Sequence, residues 1–220
     1  MQLFLLMGIR EVALLAEVRK FGGLVLWFGL GKLRVVMVIV KKRSAIVFVD
    51  GNNWYHNVKS LVKKPRGLDF EKLGRLICER FGFKLLEVRY YNSVPDIDLG
   101  EENYYKHMVF LAGLKKKGVV VNTRKLKVVM SGGRKLRIEK GVDVMIASDM
   151  IDFCLVDSKC DVCVLLSGDA DFLPAMDVIK RQGKEVITAS VGAGYSRDLR
   201  KGDFRYVVLK KGDLDRCMGL

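Results

Sequence analysis

Two carboxylates one residue apart, Asp169 and Asp171, stand in the run Ser167-Gly168-Asp169-Ala170-Asp171-Phe172, directly after the apolar stretch Val162 to Leu166. So placed, they repel each other unless a cation or a proton sits between them. An apolar run bounded by Gly reads as a buried strand of a parallel sheet. In open α/β sheets the loop at a strand's carboxyl end is where ligands bind. A second apolar run, Ala45 to Val49, ends in Asp50-Gly51-Asn52-Asn53, which puts Asp50 on the same edge of such a sheet. A third segment, Gly141-Val142-Asp143, opens a helical pattern, and Asp143 reaches that edge if its helix runs down from it. Four carboxylates from three segments suit a hard divalent cation, Mg²⁺ or Mn²⁺, which takes oxygen ligands, keeps several waters and pairs with substrate phosphates. Such a cluster could activate a water and stabilise the leaving oxygen in phosphodiester hydrolysis.

Each acid also has a plainer reading. A single Asp after a strand turns the chain or caps a helix, Asp143 alone is a favourable charge on a helix N-terminus, and Asp171 could cap the helix that starts at Phe172. The convergence of three strand or helix ends favours metal binding. Asn53 either caps its helix or orients a metal-bound water, Ser167 hydrogen-bonds a carboxylate or a phosphate, and the amides around Gly168 are candidates for phosphate contact. Asp149, six positions after Asp143, falls off that residue's helical face, and Asp152 points away from it into solvent. His56 reads as structural or peripheral. Cys160-x-x-Cys163 straddles the strand at 161–166, and only His56 and His107 are available to complete a zinc site. The five cysteines therefore read as structural thiols in a reducing, cytoplasmic setting.

The elements that must hold these residues alternate regularly from Ser44 onward. Strands are expected at 45–49, 84–91, 119–121, 161–166, 185–190 and 204–209. Helices are expected near 53–62, 69–81 (Asp69 as N-cap), 101–117, 142–156, 172–182 (Gly183 as its stop) and 195–201. Strands alternating with helices imply an α/β fold, a mainly parallel central sheet flanked by helices on both faces. Two basic strands, Lys125 to Met130 and Arg134 to Ile138, flank Ser131-Gly132-Gly133 as an inserted β-hairpin. Residues 1–43 form a separate N-terminal extension, read either as an amphipathic helix over Met1 to Phe21 with further apolar patches or as sequence upstream of a true start at Met37. Residues 44–210 form the main domain and 211–220 a tail.

The chain has 220 residues and is half hydrophobic, so it is globular, with 39 Lys and Arg against 25 Asp and Glu and a net charge of +14. That balance points to a polyanion, nucleic acid first and an anionic membrane surface second. The longest uncharged N-terminal run is about half the roughly 20 residues of a membrane span, and the charge order of a signal peptide is absent. Membrane association is therefore not expected. Ten basic residues, Lys115, Lys116, Lys117, Arg124, Lys125, Lys127, Arg134, Lys135, Arg137 and Lys140, lead into Asp143 with one acid, Glu139, among them. A basic hairpin beside an acidic site would hold a phosphate backbone without reading sequence; the plainer reading is an edge hairpin whose lysines block pairing. Arg197, Arg200, Lys201 and Arg205 form a second basic group. Tyr90, Tyr91, Tyr104 and Tyr105 would stack on unpaired bases or belong to the core.

Phe48-Val49-Asp50-Gly51-Asn52-Asn53, Lys140-Gly141-Val142-Asp143, Ser167-Gly168-Asp169-Ala170-Asp171-Phe172 and Ser196-x-x-Leu199-x-x-x-Asp203-Phe204 come in the order found in NYN domains. The chain most resembles their LabA/DUF88 branch, within the PIN-like nucleases, over roughly Ser44 to Leu209. The resemblance implies a PIN-like Rossmannoid three-layer fold and Mg²⁺- or Mn²⁺-dependent endoribonuclease activity. It maps the metal-site acids onto Asp50, Asp143, Asp169 and Asp171, with Asn53 matching the Asn of the first motif and Asp149 a recurrent acid. The expected partner is RNA, single-stranded rather than duplex, with no organic cofactor and with self-association left open. A non-catalytic RNA-binding module within a larger complex is the alternative. A haloacid-dehalogenase-type enzyme is disfavoured, because it needs Asp-x-Asp after the first strand and here that strand ends in Asp50-Gly51-Asn52.

Overall fold

The computed structural model describes residues 24–30, 33–39, 42–97, 100–131, 134–138 and 141–218. It divides into two units, Met1–Arg43 and Ser44–Leu220. In the first, strands β1 (Leu24–Leu30) and β2 (Leu33–Ile39) pair antiparallel. The two apolar patches of the extension are thus partners in a hairpin; the expected helix over residues 1–21 lies outside the described residues.

The second unit begins with β3 (Ser44–Asp50) and continues through α1 (Gly51–Val58), α2 (Phe70–Arg80), β4 (Lys84–Val94), α3 (Glu101–Lys116) and β5 (Val120–Lys125). The hairpin β6 (Lys127–Ser131) and β7 (Arg134–Ile138) follows, then α4 (Val142–Ile151), β8 (Val162–Leu166), α5 (Leu173–Arg181), β9 (Glu185–Val191), α6 (Arg197–Lys201), β10 (Arg205–Leu209) and α7 (Lys211–Arg216). Six strands form one sheet in the order β10-β9-β8-β3-β4-β5, every neighbouring pair parallel. Strand alternation sorts the core into two layers. Ala45, Val47 and Val49 of β3 face one side with Trp54, Leu73, Ile77, Leu111 and Leu214 from the helices; Ile46 and Phe48 face the other with Ile146, Met176 and Leu199. This is the expected three-layer α/β arrangement, a mainly parallel central sheet flanked by helices on both faces.

The centre of the sheet matters most for function. From β3 the chain moves outward to β4 through helices on the first face; from β8 it moves the opposite way to β9 through α5 on the second. Connections that leave two adjacent strands in opposite directions open a crevice at their carboxyl ends, the topological switch point where α/β sheets bind ligands. Asp50 and the Ser167–Asp171 loop sit on its two sides.

Several boundaries differ from expectation for local reasons. The helix at 142–156 ends as α-helix at Ile151 and finishes in a π-helical turn, Asp152–Val156, because the apolar spacing persists through both. Asp152 is exposed there, as expected. β4 runs on through the polar Asn92 and Ser93. Residues 211–218 of the expected tail pack on the domain: Leu214 and Cys217 are buried in the first layer, the Asp69 N–H donates to the Cys217 carbonyl, and Met218 bridges to Leu68.

Candidate functional site

β3 ends on Asp50, which is only 3 % exposed. Its Oδ1 accepts the Asn53 N–H at 3.1 Å, capping α1, and its Oδ2 accepts the Ser167 hydroxyl at 3.1 Å. The plain capping role therefore falls on the same residue that the sequence places at the candidate site. Asp50 can take two such bonds because Gly51 lets the chain turn against β4: a Cβ at Gly51 would lie 2.4 Å from the Tyr90 hydroxyl.

The loop after β8 is held from three directions. The Asp169 N–H donates to Ser167 Oγ at 3.2 Å, and the Gly168 N–H donates to Asn53 Oδ1 at 3.1 Å. The Ser196 N–H donates to the Gly168 carbonyl at 2.9 Å. A Cβ on Gly168 would stand 1.5 Å from the Gly194 carbonyl oxygen, so this contact between the loops after β8 and β9 exists only with Gly at 168. Asn57 donates to Asn53 Oδ1 at 2.7 Å, and a Cβ on Gly194 would lie 2.5 Å from that Asn57 amide. Asn57 and Gly194 were missed in the sequence; the Gly192-Ala193-Gly194 run after β9 was the available signal.

These contacts settle some alternatives. The Asn53 side chain does not cap its helix; its Oδ1 ties Asn57 to Gly168. The Gly168 amide expected to meet phosphate is engaged by Asn53. Ser167 takes the carboxylate rather than the phosphate option. The cap after β8 is Asp169, whose Oδ1 accepts the Asp171 N–H at 3.1 Å, and not Asp171, which is exposed. Asp143 is exposed in the first turn of α4; its neighbour Val142 is buried in the same cluster as Phe172, and α4 packs against the Ala170–Phe172 turn.

Asp50, Asn53, Ser167, Gly168 and Asp169 are thus linked by hydrogen bonds, Asp171 joins them through its N–H, and Asp143 opens the helix that packs against the Ala170–Phe172 turn. Among the described residues no three carboxylate, imidazole or thiol side chains are grouped closely enough to hold an ion. Asp149 sits about 9 Å further down the helix axis from Asp143, at 1.5 Å per residue. Its Oδ2 accepts the Tyr91 hydroxyl at 2.7 Å and Arg89 Nη2 at 3.4 Å. Burial, with the bond to Asp149, holds the Tyr91 phenol well above its usual range. Tyr91 and Tyr90 are core residues, Tyr104 is half-buried and Tyr105 exposed. His56 is exposed beside Lys59.

The basic residues divide. Strand register puts Asp50 opposite Tyr91 and Tyr91 opposite Asn122. Arg124 and Lys125, exposed, extend two and three residues beyond the level of Asp50 on the same edge, roughly 7–10 Å at 3.3 Å per residue. Lys115, Lys116 and Lys117 lie at the other end of β5, with Lys117 paired to Asp69 at 3.2 Å. The backbone of Lys127, Arg134, Lys135 and Arg137 runs in β6 and β7; their side chains, and Lys140 altogether, lie outside the described residues. In the second group, Arg205 pairs with Glu185 and Arg200 donates to the Gly192 carbonyl. All five cysteines are free and buried. Cys160 faces Cys154 at 3.2 Å; that contact and then burial drive the Cys160 thiol far up, while at Cys154 the opposing Cys160 contact is outweighed by the Cys163 contact and burial, which push that thiol up too.

The sheet is mainly parallel and flanked by helices, with Asp50 and the loop after β8 at its switch point. The NYN domain family profile matches residues 44–210, and the chain belongs to that family. It is 24 % identical over 165 residues to the low amplitude and bright protein LabA of Synechococcus elongatus, covering 74 % of this chain and 82 % of LabA. A crystal structure of a protein of unknown function from Vibrio parahaemolyticus, VPA0982, has the same fold: TM-score 0.55 at 19 % identity, covering 79 % of this chain and 96 % of that one. PIN-like proteins are generally divalent-metal-dependent nucleases, and NYN domains in general bind RNA. Among the described residues no helix is long and apolar enough to cross a membrane.

Proposed function

We propose that the chain is an endoribonuclease that hydrolyses RNA phosphodiester bonds at the switch-point crevice, with Asp50, Asp143, Asp169 and Asp171 as ligands for Mg²⁺ or Mn²⁺. The observation that carries this reading is the buried Asp50 carboxylate joined to the Ser167 hydroxyl across two adjacent strands, two residues before Asp169. The donors are all oxygens, which fits a hard cation and excludes a thiolate-loving one. When bound, the ion would supply a nucleophile at neutral pH and neutralise charge on the phosphate.

The chain's own residues do the positioning. Ser167 and the Asn53 N–H fix both oxygens of Asp50, and the Asp171 N–H orients Asp169. Asn53 locks the loop after β8 to α1, and Asp149 steadies α4 through Tyr91 and Arg89. Arg124 and Lys125 extend past the same sheet edge two strands from Asp50 and would take backbone phosphates of a single strand, continued by the hairpin residues. Buried free thiols suit a reducing compartment such as the cytoplasm. The test is cleavage of labelled single-stranded RNA with Mn²⁺ or Mg²⁺, beside EDTA and Asp169→Asn. Cleavage that persists in Asp169→Asn would remove these acids from the reaction. The absence of three grouped ligands among the described residues favours a second reading, an RNA-binding module without cleavage. Binding in the same assay with no product in either metal would establish it.

A further inference from the structure

Beside Asp50, on the β4 side of the crevice, lies a cavity of about 240 Å³. Gly51 and Asn52, the two residues that follow Asp50, line it, as does Leu126 at the root of the basic hairpin. Its walls are a continuous chain of rings. Trp54 meets Phe70 edge-on, Phe70 meets Tyr90 at 5.1 Å, Tyr90 meets Phe110 at 5.8 Å, and Phe110 meets His107 at 6.3 Å. Arg66, exposed at the rim, lies over the rings of both Tyr55 and Phe110, 5.7 and 5.8 Å from their centroids.

Three of the lining residues carry a buried polar atom without a hydrogen-bond partner among the described residues: Trp54 Nε1, Ser93 Oγ and His107 Nε2. The residues themselves are 2 %, 7 % and 8 % exposed. Buried polar groups are rarely left so, and three around one cavity call for an occupant with matching polar edges. Burial, then the Arg66 charge, holds the His107 imidazole below its usual range. It is therefore neutral near pH 7 and can donate from one nitrogen and accept at the other. Trp54 can only donate, while Ser93 does either.

We propose that this cavity receives one unpaired nucleobase of the RNA strand, with Arg66 taking an adjoining phosphate. Flat aromatic walls with a few buried donors and acceptors are how proteins hold splayed-out bases. The volume is below the roughly 300–1,000 Å³ of sites for drug-sized ligands, which limits the occupant to a single ring system. Gly51 and Asn52 join the cavity to Asp50, so a base seated there brings the next backbone phosphate toward the acids. The proposal rests on the reading above that the polymer is RNA, but its test does not use cleavage.

The full-length protein is titrated calorimetrically, in EDTA, with each of the four ribonucleoside 5′-monophosphates and with ribose 5-phosphate. Saturable binding of at least one mononucleotide is expected, tenfold or more weaker in Ser93→Val and in Arg66→Ala, and unchanged in Arg75→Ala, whose side chain pairs with Glu71 on α2. Arg66 is exposed, so that variant folds even where a buried substitution fails. Three outcomes would overturn the assignment: no saturable binding to any nucleotide, wild-type affinity in both pocket variants, or ribose 5-phosphate binding as tightly as the nucleotides. Loss of metal-dependent cleavage alone would count against the acids and leave this result standing.

Discussion

The two halves of the sheet's carboxyl edge are built to opposite rules. On the β3–β8–β9 half, Asp50, Ser167, Asn53, Asn57, Gly168 and Gly194 interlock so closely that two of the contacts tolerate no Cβ. On the β4–β5 half the edge opens into a cavity of about 240 Å³, and exposed cations extend past the end of the sheet. A charged centre gains from rigid dipoles and excluded water, whereas a polymer needs room to enter and surface to rest on. Under the proposed function one edge would supply both, because the strand order reverses between β3 and β8.

The contrast is most severely tested on the closed side. Gly168→Ala forces a Cβ into the Gly194 carbonyl and should cost at least the roughly 1–3 kcal/mol of an overpacked core, or prevent folding, by denaturant unfolding. Gly113→Ala, in the open part of α3 with nothing within 4 Å of the new Cβ, should instead stabilise by roughly 0.5–1 kcal/mol. Ser167→Ala comes next: removing the donor to a buried carboxylate should cost roughly 1.5–3 kcal/mol.

On the open side the effects are gentler and depend on solution conditions. The His107 pKa is depressed in the fold below its ordinary 6.5. As pH falls through 6.5 the unfolded chain takes up the proton first, so stability declines on acidification below that value. The decline should be shallower in His107→Gln, measured by unfolding between pH 7 and 5. Arg124→Ala and Lys125→Ala should each weaken RNA binding severalfold and lower the slope of log affinity against log salt by about one, with no change in stability. If these two lower stability as Ser167→Ala does, the division of the edge is wrong.

The closed half was largely legible in the sequence because its signals are local. Asp after an apolar run and Gly next to Asp act within three residues, as does Asp69 elsewhere in the fold, which accepts the Lys72 N–H as the expected cap of α2. What local signals could not assign was which acid caps which turn: Asp169 and Asp171 are equivalent in pattern, and only the 3₁₀ geometry of Ala170–Phe172 decides for Asp169. The open half was not legible. Its cavity draws on α1, the Pro65–Gly67 turn, β4, α3 and Leu126, segments that no spacing relates. The C-terminal helix reads as a tail because six residues with one apolar anchor, Leu214, leave too little periodicity to detect.

The central claim is that the acids of the closed half bind a divalent cation. It is tested most directly by calorimetric titration of Mn²⁺ into wild type, Asp50→Asn and Asp169→Asn, each first shown to be folded by circular dichroism. Saturable binding in wild type, weakened tenfold or more in both variants, is the predicted result. Equal Mn²⁺ affinity in all three proteins, or none in wild type with RNA bound, would contradict it.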